Sequence, residues 1–252
     1  MPGTAANAPI LLDPVPAYAL WASSYPAHAH NPVMLAEERA MLALLPESLR
    51  GMAVLDAGCG SGRYMLHALR RGAARATGVD LSPEMLAHAG DALRGFGERN
   101  DGRDNGHNRG GNREASFGLV AGSLDALPVA DASVDLAVCG LVVGHLPDLR
   151  ACVAELARAT RPGGNVLCSD VHPIGHALGW VRDFRHGGER YAVRHAQHLY
   201  ADWHDACTAA GLHIEQVREP MLDPADIPAG AHFDRAALDV PVALVLKLRR
   251  AP

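Results

Sequence analysis

Short apolar runs alternate with helical stretches through the middle of the chain. Met52 to Leu55, Ala76 to Val79, Phe117 to Val120, Val134 to Val138 and Val166 to Ser169 read as strands. A glycine turn leads into a helix near 62–71, and Ser82-Pro83 opens a second with Met85, Ala89 and Leu93 at i, i+4 and i+8. Asp148 caps a third, with Leu149, Cys152 and Leu156 on one face. This alternation predicts an α/β fold, a parallel sheet with helices on both faces. The first 50 residues read as helical: Asn31-Pro32 is a helix start, Met34, Leu35, Met41, Leu42 and Leu45 follow at helical spacing, and Pro46 closes the stretch. From 172 to 198 the rhythm is lost. Residues 199–210 look helical again, and His213 to Val217 and Val242 to Leu248 look like two closing strands.

Composition narrows the picture. In 252 residues, 48% are hydrophobic and 20% charged, with a net charge of −5. That fits an ordinary packed domain and excludes disordered, collagen-like and disulfide-scaffold chains. It gives no bulk electrostatics for nucleic acid. No apolar run reaches the length of a membrane span. Met1 to Ile10 lacks the basic start of a signal peptide, so the expected location is cytoplasmic. Five cysteines without a C-x-x-C spacing read as free, mostly buried thiols. Residues 97–115 hold no aromatic and no aliphatic side chain larger than alanine, and read as a mobile surface loop.

The informative stretch is Asp56-Ala-Gly58-Cys59-Gly60-Ser-Gly62. A strand ends in an acid, and a glycine-rich turn opens a helix, which lets backbone approach a ligand closely. The spacing is G-x-G-x-G, with Arg63 where a dinucleotide fingerprint needs its third glycine, and no Gly-Lys-Ser/Thr follows. A second acid, Asp80, ends the next strand, 18 residues beyond Gly62. Such an acid accepts hydrogen bonds from a ribose diol. The pair points to an adenosine without phosphates.

With these residues in place, the chain resembles the class I S-adenosylmethionine-dependent methyltransferases. The likeness is to their small-molecule branch, which includes ubiquinone/menaquinone C-methylases and malonyl-carrier-protein O-methylases. Asp56 to Gly62 and Gly78-Val79-Asp80 are similar to the first two family motifs. Gly122 to Pro128, Asp131 to Asp135 and Arg161-Pro162-Gly163-Gly164 match three later segments in order. The resemblance implies a Rossmann-like, seven-stranded, mostly parallel sheet with an antiparallel last strand. It divides the chain into a helical N-terminal lid (1–50), a cofactor-binding core (52–171), an acceptor-side insertion (172–204) and closing strands (212–249).

The resemblance also implies roles. S-adenosyl-L-methionine would be the cofactor and S-adenosyl-L-homocysteine its product. Gly58, Cys59, Gly60 and Gly62 would form the turn beside the methionine part, and Asp56 would hold its amino group. Asp80 would take the ribose, Leu81 and Met85 would pack on adenine, and Ser123 and Leu124 would lie at the adenine edge. Cys139 would join the cofactor wall. Ser123 departs from the family, which usually has Asp there. Tyr18 and Tyr25 would reach the cofactor from the lid.

Two histidines follow strand ends on the ligand side of the sheet, His145 and His172, and are the candidate bases. Residues 172–204 are rich in arginine, histidine and aromatics, and Arg185, Arg194, Tyr200 and Trp203 are candidate substrate residues. They suggest a small-molecule acceptor that is anionic or an acyl group on a carrier protein. The 14 histidines show no metal-ligand spacing, so no metal is expected. Cys139-Gly-Leu-Val142 stands where base-modifying enzymes carry Asn/Asp-Pro-Pro-aromatic, so no nucleic acid is expected. A non-catalytic cofactor-binding or regulatory subunit and an aminopropyl transferase are the alternatives.

Overall fold

A computed structural model describes residues 8–101, 116–229 and 235–252. Strand β1 (Ile10–Leu12) leads into helix α1 (Pro14–Trp21), and a short 3-10 turn precedes α2 (Pro32–Leu44). Asn31 caps α2, its side chain accepting from Met34 N–H at 2.9 Å. Then come β2 (Ala53–Ala57), α3 (Arg63–Arg70), β3 (Arg75–Asp80), α4 (Pro83–Asp101), β4 (Ser116–Ala121), β5 (Val134–Gly140), α5 (Leu149–Ala159) and β6 (Thr160–Val171). The chain finishes through α6 (Pro173–Ala177), a hairpin of β7 (Arg182–His186) and β8 (Glu189–Val193), α7 (Tyr200–Ala209), β9 (Leu212–Arg218) and β10 (Ala243–Arg250).

The main sheet has seven strands in the order β4-β3-β2-β5-β6-β10-β9. Strands β2 to β6 pair in parallel, and β10 is antiparallel to both of its neighbours. The strand order reverses between β2 and β5. In open sheets of this kind the crevice beyond the carboxyl ends at that reversal is the ligand side. Val54, Leu55, Ala76, Val79, Ala137, Val138, Val166 and Leu167 are all buried. That burial on both faces is why these strands appear as continuous apolar runs rather than alternating ones. Leu156, Cys152, Trp203 and Leu246 extend the core beneath α5 and α7. Among the described residues no helix is long and apolar enough to cross a membrane.

Three expectations are corrected. The first 50 residues are not wholly helical, because Ile10–Leu12 forms a strand. The segment 172–198 is not irregular: it carries α6 and the β7–β8 hairpin, and α7 begins at Tyr200, inside the expected insertion. The loop expected over 97–115 begins later than composition suggests, since α4 runs to Asp101. The rest of it, 102–115, lies outside the described residues.

The strand at the N-terminus belongs to a second sheet, ordered β1-β8-β7. Ile10, Leu11 and Leu12 pair in parallel with Tyr191, Ala192 and Val193. Trp21 stacks on Phe184 with ring centroids 4.7 Å apart, and Phe184 stacks on Tyr191 at 5.5 Å. Two segments far apart in sequence thus make one cover. Phe184→Ala should loosen that cover alone: truncating a buried Phe costs about 3–5 kcal/mol where the site cannot collapse. Hydrogen exchange should rise several-fold over residues 10–21 and 182–193 while the strands of the main sheet keep their protection.

Candidate active site

Beyond the carboxyl ends of β2, β3 and β5 lies a cavity of about 270 Å³. Its floor is the glycine turn. Gly58, Gly60 and Gly62 all have positive φ, at 72°, 50° and 81°. A Cβ on Gly58 would stand 2.7 Å from the Val142 side chain, so position 58 has no room for a larger residue. Of the five N–H groups from Gly58 to Gly62, all but that of Ser61 are already engaged. Gly58 N and Cys59 N donate to Val79 O at 2.7 and 2.9 Å, Gly62 N donates to Cys59 O at 2.8 Å, and Gly60 N donates to Asp80 Oδ2 at 2.7 Å. A phosphate needs such donors free. This turn offers a ligand little beyond carbonyls and Cα surfaces, which suits a neutral or cationic group.

Asp80 ends β3 and joins the turn to α4. Its other oxygen accepts from Ser82 N–H at 2.9 Å. Burial raises its carboxyl above the usual range, against the pull of the Ser82 and Gly60 N–H groups. Leu81, next in sequence, is 53% exposed although apolar, and lines the cavity with Met85, Ser123 and Leu124. Ser123 donates its hydroxyl proton to Asp125 and so offers only oxygen lone pairs to a ligand. Asp56 lies deeper and accepts from Met65 N–H at 3.2 Å. Burial pushes its carboxyl up to about 7, against the nearby Arg63 charge.

The far wall comes from the cover. Tyr18 O–H lies 3.0 Å from His145 Nε2, and His145 Nδ1 lies 3.4 Å from Arg194 O. Nδ1–H therefore donates to the carbonyl, and Nε2 accepts from the phenol. Burial, helped by the Arg182 charge, lowers the imidazole to about 3, so it is neutral at physiological pH. Burial likewise raises the Tyr18 phenol, which keeps its proton. Arg182 lines this wall as well.

Of the residues singled out in the sequence, Tyr18, Tyr25, Asp56, Gly58, Cys59, Gly60, Asp80, Leu81, Met85, Ser123, Leu124 and His145 line the cavity. Seven candidates do not. Gly62 packs on α4, where a Cβ would lie 3.2 Å from that of Ala89. Cys139 is fully buried within the sheet. His172 caps α6, its Nδ1 accepting from Ile174 N–H and its Nε2–H donating to Glu219, so it is no base for this cavity. Arg185 is exposed on β7. Arg194 pairs with Asp13 at 2.8 Å. Tyr200 lines a separate groove between α7 and β9, and Trp203 is core at 1% exposure.

Sequence reasoning missed Arg182 and Glu37. Glu37 is wholly buried on α2 and accepts from Tyr64 O–H at 2.7 Å, Arg63 at 3.1 Å and the Ser169 hydroxyl at 2.5 Å. An acid on the apolar face of α2, beside Met34 and Met41, was its only signal. Among the described residues no three His, Cys, Asp or Glu side chains gather so as to hold a metal ion.

Comparison with known proteins shows what this chain is similar to. A methyltransferase domain family matches residues 55–168. A solved S-adenosylmethionine-dependent methyltransferase from Mesorhizobium loti is 27% identical with a TM-score of 0.61, covering 85% of this chain and 98% of that one. The chain is thus similar to S-adenosylmethionine-dependent methyltransferases over its central part. Among its relatives, a malonyl-[acyl-carrier protein] O-methyltransferase from Serratia marcescens is 36% identical over 47% of this chain and 38% of its own length. One of the same name from Pectobacterium atrosepticum is 34% identical over 73% of this chain and 63% of its own length. The chain thus spans roughly two fifths to under two thirds of these two relatives' length.

The raised Asp56 carboxyl makes stability depend on pH. The folded protein keeps a proton that the unfolded chain has lost, so Asp56 erodes stability as pH climbs from ~4 to ~7. Asp56→Asn removes that cost. Its melting temperature should come close to the wild type near pH ~4 and exceed it by several degrees near pH ~8. Thermal scans at the two pH values check the sign.

Proposed function

We propose that the protein transfers a methyl group from S-adenosylmethionine to a small-molecule acceptor. The observation that carries this reading is the pairing of Asp80 with a glycine turn most of whose donors are already engaged. That floor has a ribose acceptor and no phosphate cradle. When bound, the cofactor supplies a methyl group on a sulfonium, already a strong electrophile.

The residues present fit that group. Asp80 has lone pairs left for two hydroxyls, and Leu81, Met85 and Leu124 give adenine an apolar slot. Ser123 accepts at its edge. Asp56 becomes the partner of an ammonium, which draws off its proton and brings the carboxyl down. Tyr18 and Tyr25 close the site from above, with residues 10–21 and 182–193 acting together as a cover that excludes water. His145 has too low a proton affinity to serve as an effective base. It holds the Tyr18 phenol in place instead, and the protein's chief work is orientation.

The acceptor in this reading is a small acid or an acyl group on a carrier protein. The Serratia and Pectobacterium relatives, named for a malonyl group on a carrier, support it. The free, buried thiols of Cys59, Cys139, Cys152, Cys168 and Cys207 go with a reducing, cytoplasmic setting.

Calorimetry tests the cofactor. S-adenosylhomocysteine should bind and NAD should not. Asp80→Ala should weaken binding by about 10- to 100-fold, as expected for the loss of charge-assisted hydrogen bonds. Binding of NAD with no response to S-adenosylhomocysteine overturns the proposal.

A further inference from the structure

We infer that Arg182 is the anchor for a carboxylate carried by the acceptor. The inference rests on the methyl-transfer reading above and names the acceptor's chemistry. Arg182 lines the cavity from the first residue of β7. It donates to Leu141 O at 3.0 Å and to the Tyr25 hydroxyl at 3.2 Å. Its guanidinium carbon stands 5.6 Å from the Tyr18 ring centroid and 5.8 Å from that of Trp21.

What sets this arginine apart is its charge balance. Arg63, the other arginine of the cavity wall, is paired with Glu37 and Glu38. Nearby on the cover, Arg190 is paired with Asp183 and Arg194 with Asp13. Among the described residues Arg182 takes part in no ion pair, and its two neutral acceptors leave further guanidinium N–H groups unspent. The guanidinium is half-buried among these rings, where an arriving anion is less screened by water than on the open surface. The same charge helps hold His145 neutral, so the wall around Arg182 carries no competing cation on that side.

The placement separates this subsite from the ribose end. Asp80 ends β3, whereas Leu141 follows β5, and β2 lies between them. At ~4.8 Å per strand the two positions are about 10 Å apart across the sheet crest. The bond to Leu141 O puts the guanidinium at the carboxyl end of β5. A carboxylate there meets a planar fork suited to two parallel hydrogen bonds. Two ligands could bring that carboxylate, the acceptor or the amino-acid end of the cofactor. The position on the cover, past the turn, favours the acceptor.

The test uses the full chain saturated with S-adenosylhomocysteine. Malonate and benzoate are titrated by calorimetry, with malonamide and benzamide as neutral controls, into wild type, Arg182→Gln and Arg182→Lys. At least one acid should bind the wild-type complex about 10-fold more tightly than its amide, the preference expected of a charged hydrogen-bonded pair. Arg182→Gln should lose that preference, and Arg182→Lys should keep part of it and show that the fold survives a change at this position. Affinity for S-adenosylhomocysteine should change by less than about threefold in both variants. Equal binding of acid and amide, no binding of either acid, or a preference kept in Arg182→Gln overturns the inference. A fall of about 10-fold or more in S-adenosylhomocysteine affinity in Arg182→Gln also overturns it, by assigning the cation to the cofactor. Failure of the wild type to bind S-adenosylhomocysteine at all instead overturns the methyl-transfer reading beneath it.

Discussion

One carboxylate organises the ligand side of this protein. Asp80 accepts from Gly60 N–H at 2.7 Å and from Ser82 N–H at 2.9 Å. It thereby clamps the crest of β2, the end of β3 and the start of α4 to one another. Gly60 can be held at its positive φ only because it lacks a side chain, and Gly58 beside it has no space for one. With the turn fixed in this way, most of its amides are consumed internally. The floor of the cavity then favours a ligand without phosphates. Binding preference here follows from which backbone donors remain, more than from the presence of glycines.

The second organising element is Glu37. A wholly buried carboxylate is costly unless every lone pair finds a donor. Arg63, Tyr64 and Ser169 supply them. These partners come from α3 and β6, so the N-terminal helix α2 is tied across both the glycine turn and the sheet crest. Arg63 follows directly on Gly62. The same network therefore compensates the one arginine that would otherwise offer a charge from the floor of the cavity.

Electrostatics divide the cavity into two ends. On the floor, burial raises Asp56 to about 7, poised to lose its proton to an arriving cation. On the cover, Arg182 keeps its charge while His145 is held neutral at about 3. A cationic group toward the sheet and a separate anion toward the cover suit the two ends. Such an arrangement needs the cover closed, and closure depends on aromatic stacking between Trp21, Phe184 and Tyr191.

The sequence by itself determined the order of strands and helices from Met52 to Val171 and the glycine turn with its two acids. Those features are local: buried strands flanked by helix caps have a period, and G-x-G-x-G followed by Asp80 has a spacing. It also indicated the antiparallel finish, through two late apolar runs. What it could not determine is which distant segments meet. The pairing of Ile10–Leu12 with Tyr191–Val193 is three residues long and bridges most of the chain, so no periodicity announces it. The same holds for choosing among arginines. Arg182, Arg185, Arg190 and Arg194 look alike in sequence, yet hairpin register points Arg182 into the cavity, leaves Arg185 exposed and gives Arg190 and Arg194 acidic partners. Strand alternation sends neighbouring side chains to opposite faces. Which face meets the cavity was decided only when the hairpin packed against α1, because burial of Phe184 between Trp21 and Tyr191 fixes that choice.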